Sequence, residues 1–188
     1  MDRKLNRNVL NRDETSFLML DVQEKLLPVI DRNDAVKCSV VKLLKAADIM
    51  SVPVLYTEQY PNGIGATAEE ALSAMPEGAQ RFEKMTFSCF GEPEFAKVFK
   101  LFARPVTVIF GIETHICVLS TIQDMLAIGY KVVIASDACG SRDRENHNIA
   151  LTAAGHCGAL VLPVETIIFQ MLGRSGTTEF KAVLPLLK

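Results

Sequence analysis

The sequence predicts an α/β fold, a three-layer α/β/α sandwich around a mostly parallel sheet of about six strands. Three observations carry this reading. Short runs such as Val106-Thr-Val-Ile-Phe110 and Lys131-Val-Val-Ile-Ala-Ser136 are rich in β-branched residues and apolar without alternation, the composition of strands covered on both faces. Segments of helical spacing separate such runs, so strand, helix and strand follow one another as right-handed crossover units. Finally, 188 residues, 49% of them hydrophobic, suffice for one domain with a large core. The whole of 1–188 is read as that domain, with residues 1–13 as a flexible N-terminus.

Taken in order, Ser16-Phe-Leu-Met-Leu-Asp-Val22 is the first, central strand, with Asp21 at its carboxyl end. Asp34 is expected to cap a helix running to about Met50, whose apolar face is Val36, Val40, Leu43, Leu44, Ala47 and Ile49. Pro53-Val-Leu-Tyr-Thr57 is the second strand, and the Gly- and Pro-rich stretch Glu58 to Thr67 is a loop facing the ligand side. It matches neither phosphate-binding glycine motif. Thr67 is expected to cap a short helix from Ala68 to Ala74. Val106 to Phe110 is a buried strand broken by Gly111, and helical spacing from about His115 stops at Gly129, a C′ glycine. After the strand Lys131–Ser136, Asp143 starts a helix carrying Ile149, Ala150, Ala153 and Ala154. Ala159 to Pro163 is the last strand, and Val164–Leu172 and Glu179–Leu187 are closing helices.

Composition narrows the function classes. A formal net charge of −2 supplies no basic patch, so nucleic acid is not an expected partner. No apolar run reaches membrane-spanning length, and the first ten residues lack a secretory core. The five cysteines, Cys38, Cys89, Cys117, Cys139 and Cys157, are scattered, odd in number and without a CxxC pair. That pattern indicates neither a disulfide framework nor a cysteine zinc site, and it fits a reducing, cytoplasmic compartment. Three basic residues among the first ten leave an organellar location open.

Three residues on separate elements have chemical potential. Cys117 sits in the first turn of a helix beyond the carboxyl end of a strand, where free N–H groups favour an anion and a thiol should ionise more easily than usual. The competing reading is a small apolar core residue. Asp21 closes the first strand as either a functional carboxylate or a cap for Gln23 to Val29. Lys84 lies among Phe82, Phe87 and Phe90, so its ammonium is expected in a partly apolar place that demands a carboxylate partner, and Asp21 is available.

With these residues in hand, the chain resembles the isochorismatase-like cysteine hydrolases over nearly its whole length. The resemblance rests on Leu18-Met-Leu-Asp-Val-Gln23, Phe82-Glu-Lys-Met-Thr-Phe-Ser88 and Gly111-Ile-Glu-Thr-His-Ile-Cys-Val118, in that order. Thr57-Glu-Gln-Tyr-Pro-Asn-Gly-Ile-Gly65 and Asp137-Ala-Cys-Gly-Ser-Arg142 are most similar to the branch called isochorismatase domain-containing proteins. The resemblance implies the fold of that superfamily and a triad of Cys117 as nucleophile, Asp21 as proton acceptor and Lys84 as its cationic neighbour. It also implies a cis peptide bond between Ile112 and Glu113 and an oxyanion hole formed by the backbone N–H groups of Glu113 and Cys117. The expected reaction is hydrolysis of a small amide, carbamoyl or related C–N substrate through a thioester. The alternatives are a non-catalytic small-molecule-binding or interaction protein that retains the pocket, a vinyl-ether hydrolase and, ranked last, a redox sensor pairing Cys117 with Cys89, Cys139 or another thiol.

Departures from the family are informative. Nicotinamidases of the superfamily hold a metal through an Asp-x-His pair after the second strand, where this chain has Thr57-Glu58-Gln59-Tyr60. His115, His147 and His156 are not spaced to replace it, so neither a catalytic metal nor a cofactor is expected. Gln23, Tyr60, Phe87, Phe90 and His115 are the residues expected to line the substrate pocket. A homo-oligomer, dimer or higher, is expected by similarity.

Overall fold

The strands are β1 (Thr15–Leu20), β2 (Val54–Gln59), β3 (Gln80–Lys84), β4 (Val106–Ile112), β5 (Lys131–Gly140) and β6 (Leu160–Leu162). In the computed structural model, which describes residues 10–102 and 104–187, they form one sheet in the order β3-β2-β1-β4-β5-β6, every pair parallel. The helices are α1 (Asn33–Met50), the short α2 (Pro61–Ile64) and α3 (Glu69–Ser73), α4 (Pro93–Phe102), α5 (Leu119–Ala127), α6 (Arg144–Cys157), α7 (Val164–Leu172) and α8 (Thr178–Val183). From the centre the chain steps one way through α1 to β2 and the other way through α5 to β5. Right-handed crossovers in opposite directions put their helices on opposite faces. Accordingly α1 packs with α7 and α8 on one side, and α5 packs with α6 on the other.

Every residue of β1 and β4 is buried, which explains why their sequences are continuous apolar runs. Phe17 and Phe110 from these neighbours meet edge to face at 5.9 Å. On one flank Phe82, Phe90, Phe95, Phe99 and Tyr130 form a chain of ring contacts that fastens α4 to the sheet. Strand β3 reads differently because it is an edge. Gln80, Arg81 and Glu83 are exposed, charged or polar side chains suit a strand with an unpaired side, and only Lys84 is buried.

Several local expectations are corrected. Arg32, with φ 55, is the N-cap of α1, and Asp34 lies inside the first turn, where its carboxylate stands 3.5 Å from Lys37. Thr67 does not cap α3, because its N–H and hydroxyl both donate to Glu58 Oε1 at 2.7 Å. Residues 1–9 of the expected flexible terminus lie outside the described residues, whereas Leu10 is buried and Arg12 pairs with Glu179 at 3.1 Å.

Gly111 has a special position. Its φ is +124, and a Cβ there would stand 2.1 Å from the backbone oxygen of Leu20, so the absence of a side chain lets β4 lie against the end of β1. The pairing of β4 with β5 also shifts register between Ile109 and Gly111. Gly111→Ala should therefore destabilise the fold by about 3 kcal/mol or more, strain and overpacking acting together. Gly129→Ala, whose φ is +93 with open space around it, should cost only roughly 1–2 kcal/mol. Urea unfolding of the two variants checks the contrast.

Candidate active site

The site lies beyond the carboxyl ends of the central strands, where the order of connection reverses, the usual place for a ligand in an open parallel sheet. Strand β1 stops at Leu20 because the next residue leaves the extended region: Asp21 has φ 54, a left-handed conformation uncommon for a residue with a side chain. Its N–H still donates to Thr57 O at 3.1 Å, so the turn stays tied to β2. The carboxylate is fully buried, its Oδ1 accepting from Thr57 Oγ1 at 2.7 Å and its Oδ2 lying 2.7 Å from Lys84 Nζ.

Lys84, the last residue of β3, is only 3% exposed. Besides Asp21, its ammonium reaches Gln59 Oε1 at 2.6 Å and the backbone oxygens of Thr86 and Phe87 at 3.3 Å. Burial works against this charge, yet the Asp21 carboxylate, the neighbouring Cys117 sulfur and the hydrogen bond to Asp21 together more than offset it, so the lysine is held above its ordinary value. The ammonium is therefore charged throughout the neutral range.

Cys117 is in a π-type turn, Thr114–Val118, that links β4 to α5. Such a turn is an uncommon backbone form that recurs at functional sites. The preceding Ile112–Glu113 peptide bond is cis. The turn is pinned from several sides. Thr121 Oγ1 donates to Cys117 O at 2.7 Å, Thr114 Oγ1 meets His147 Nδ1 at 2.8 Å, and His115 Nδ1 meets Ser141 Oγ at 2.9 Å. The Glu113 carboxylate accepts from Arg142 N at 2.9 Å and from its Nε at 3.1 Å. The Cys117 sulfur, in a residue 6% exposed, is 3.9 Å from Gln59 Oε1.

One electrostatic expectation is reversed. Burial, and then the negative charge of Asp21, push the Cys117 thiol up to about 12, and the nearby Lys84 ammonium only partly counters them. A thiol raised this far keeps its proton at neutral pH.

The residues expected to line a pocket separate into two groups. Tyr60 and Phe87 are 47% and 62% exposed, and His115 is half-buried beside Cys117 in the same turn. Phe90 instead stacks edge to face with Phe95 and Phe99 in the core. Gln23 is fully buried, its Oε1 accepting from Gln59 N at 2.8 Å and its Nε2 donating to Gln59 O and Gly65 O at 3.0 and 2.6 Å. Gln59 itself escaped the sequence reading, although its place beside the absent metal-binding pair was a usable signal. Glu58, in that same place, is tied to Thr67 and to Arg81. Among the described residues, no three His, Cys, Asp or Glu side chains converge as a metal site.

Comparison with known proteins agrees with this architecture. The isochorismatase domain matches residues 15–166. Isochorismatase domain-containing protein 2 of Rattus norvegicus is 35% identical over 176 residues, spanning 93% of this chain and 82% of that protein. The MAR1 ribonuclease structure from Caenorhabditis elegans superposes with a TM-score of 0.89 at 30% identity, covering 95% of this chain and 91% of that one. YcaC from Pseudomonas aeruginosa, at 20% identity, shares the fold with a TM-score of 0.88 and coverage of 98% and 93%. A domain match over most of the length, joined to relatives of this similarity, means that the chain belongs to the isochorismatase family.

Proposed function

We propose that this chain is a metal-independent cysteine hydrolase that cleaves a C–N bond in a small amide or carbamoyl compound. The observation that carries the reading is the buried Asp21–Lys84 pair, 2.7 Å apart, beside a thiol that shares Gln59 Oε1 with the ammonium. A carboxylate fixed beside the sulfur is a candidate proton acceptor, and the adjacent thiol is one that must surrender its proton to react.

In the proposed cycle, Asp21 takes the Cys117 proton as the sulfur attacks the carbonyl carbon. The oxyanion is received by the backbone N–H groups of Glu113 and Cys117, at the entry and within the Thr114–Val118 turn. Asp21 then returns the proton to the nitrogen, and ammonia or an amine leaves with its former bond to carbon broken. Water, deprotonated by Asp21, attacks the thioester, and the acid departs as Cys117 regains its proton. Lys84 keeps its charge throughout and holds Asp21 in place. Tyr60, Phe87 and His115 form the rim that meets the substrate. The metal-independent part of this reading is supported by Glu58 and Gln59, which are committed to Thr67, Arg81 and Lys84.

Incubation with a panel of small amides, ureides and carbamates, following ammonia and intact mass, tests the reading. Wild type should turn over at least one compound, and Cys117→Ala should lower the rate about 10³-fold or more. Heat stabilisation by a ligand without product would favour a binding protein. Isochorismate-type cleavage that survives Cys117→Ala would favour a vinyl-ether hydrolase. RNA cleavage lost in Cys117→Ala would transfer the activity of the MAR1 relative to this chain and overturn the C–N assignment.

The thiol also makes a pH prediction. Because its value is raised to about 12, alkylation of Cys117 by chloroacetamide should climb roughly tenfold per pH unit from 7 to about 10 with no plateau. A plateau below pH 8, read by peptide mass, would mean a preformed thiolate.

The same reading includes a cytoplasmic location, which suits five free thiols. It also includes a homo-oligomer, for which the exposed Met85 and Leu101 supply apolar surface. Sedimentation should accordingly give twice the 20.7-kDa chain mass or a higher multiple.

A further inference from the structure

We infer that Gln59 is a positioning residue for the candidate triad: its side-chain oxygen holds the Lys84 ammonium beside Asp21 while facing the Cys117 sulfur, and its neutrality keeps a second negative charge away from the thiol. The inference rests on the hydrolase reading and deepens it.

Gln59 ends β2 directly opposite Lys84 in the parallel pairing with β3, so the backbone register itself sets the two side chains side by side. Its Oε1 is 2.6 Å from Lys84 Nζ and 3.9 Å from Cys117 Sγ, one acceptor facing both groups. The orientation of the amide is determined at its other end, where Nε2 donates to Met85 O at 2.9 Å. Turning the amide over would place two donors face to face at Lys84 and leave Met85 O without that partner. The backbone is equally constrained. Gln23, buried completely, grips both the N–H and the carbonyl of Gln59 with the two ends of its own amide.

The ammonium has other partners, which is why Gln59 matters for placement rather than for charge. Without Oε1, Lys84 would retain Asp21 and the carbonyls of Thr86 and Phe87, two residues of an exposed segment. The cation would then lose the acceptor it shares with the sulfur. A carboxylate in the same place would be worse for a different reason: two anions and one cation would surround the thiol, and formation of a thiolate would be opposed.

The experiment compares full-length wild type, Gln59→Glu and Gln59→Met. Thermal unfolding establishes that each is folded, peptide mass follows Cys117 alkylation by chloroacetamide across pH, and kcat and KM are measured on the amide that wild type hydrolyses. Gln59→Glu should slow alkylation about tenfold or more at pH 9.5 and displace the pH curve upward. Gln59→Met should lower kcat about tenfold or more with KM changed less than about threefold. If Gln59→Glu does not fold, Gln59→Met carries the comparison. Folded variants with the wild-type pH curve and kcat, altered in melting temperature alone, would overturn the inference. Absence of any Cys117-dependent turnover in wild type would instead overturn the hydrolase reading, and the alkylation curves would still decide whether Gln59 governs the thiol.

Discussion

The buried ion pair between Asp21 and Lys84 is the constraint on which the rest of this structure turns. Two charges removed from water attract strongly at 2.7 Å, but each must also find enough hydrogen-bonding neighbours to replace its hydration. Thr57 serves the carboxylate, and Gln59 with two backbone carbonyls serves the ammonium. In general, removing one member of such a pair costs about 3–5 kcal/mol, because the survivor is left charged and buried. The pair therefore binds β1 to β3 across β2, three strands whose ends form one wall of the site.

The opposite wall is built from β4, β5 and α6, and it is rigid for reasons unconnected with charge pairing at the first wall. Glu113 is tied to Arg142, Thr114 to His147 and His115 to Ser141, so the residue at the entry of the turn and the first two within it each have a partner after β5. The walls meet where β1 lies against β4, and there Gly111 permits a backbone approach that no side chain would tolerate. Chemistry and packing thus coincide at the point where the strand order reverses. The low accessibility that raises the thiol also lowers the local dielectric, which strengthens every charge interaction within the cluster.

Legibility in the sequence followed burial. Strands β1, β4 and β5 were readable because both faces are covered and their composition says so. Strand β3 was not, since an edge strand with one buried residue in five has neither an apolar run nor clean alternation. Asp143 stands at the start of α6 as its sequence predicts and also caps it, its side chain accepting from Asn146 N, whereas Thr67 has the right residue type for a cap and is claimed by Glu58 instead. Local chemistry supplies the candidates, and long-range competition chooses among them.

By itself the sequence determined the layered α/β architecture, the position of Cys117 just beyond a buried strand, and the identities of Asp21 and Lys84 as the groups worth joining to it. These rest on composition, periodicity and motif, which are properties of neighbouring residues. Only the tertiary structure decided that Asp21 and Lys84 meet at 2.7 Å, that Gln59 Oε1 faces both the ammonium and the sulfur, and that burial pushes the thiol up. Pairing across strands brings together residues far apart in the chain, and the solvent they exclude sets the energy of each charge, neither of which any local stretch of sequence contains.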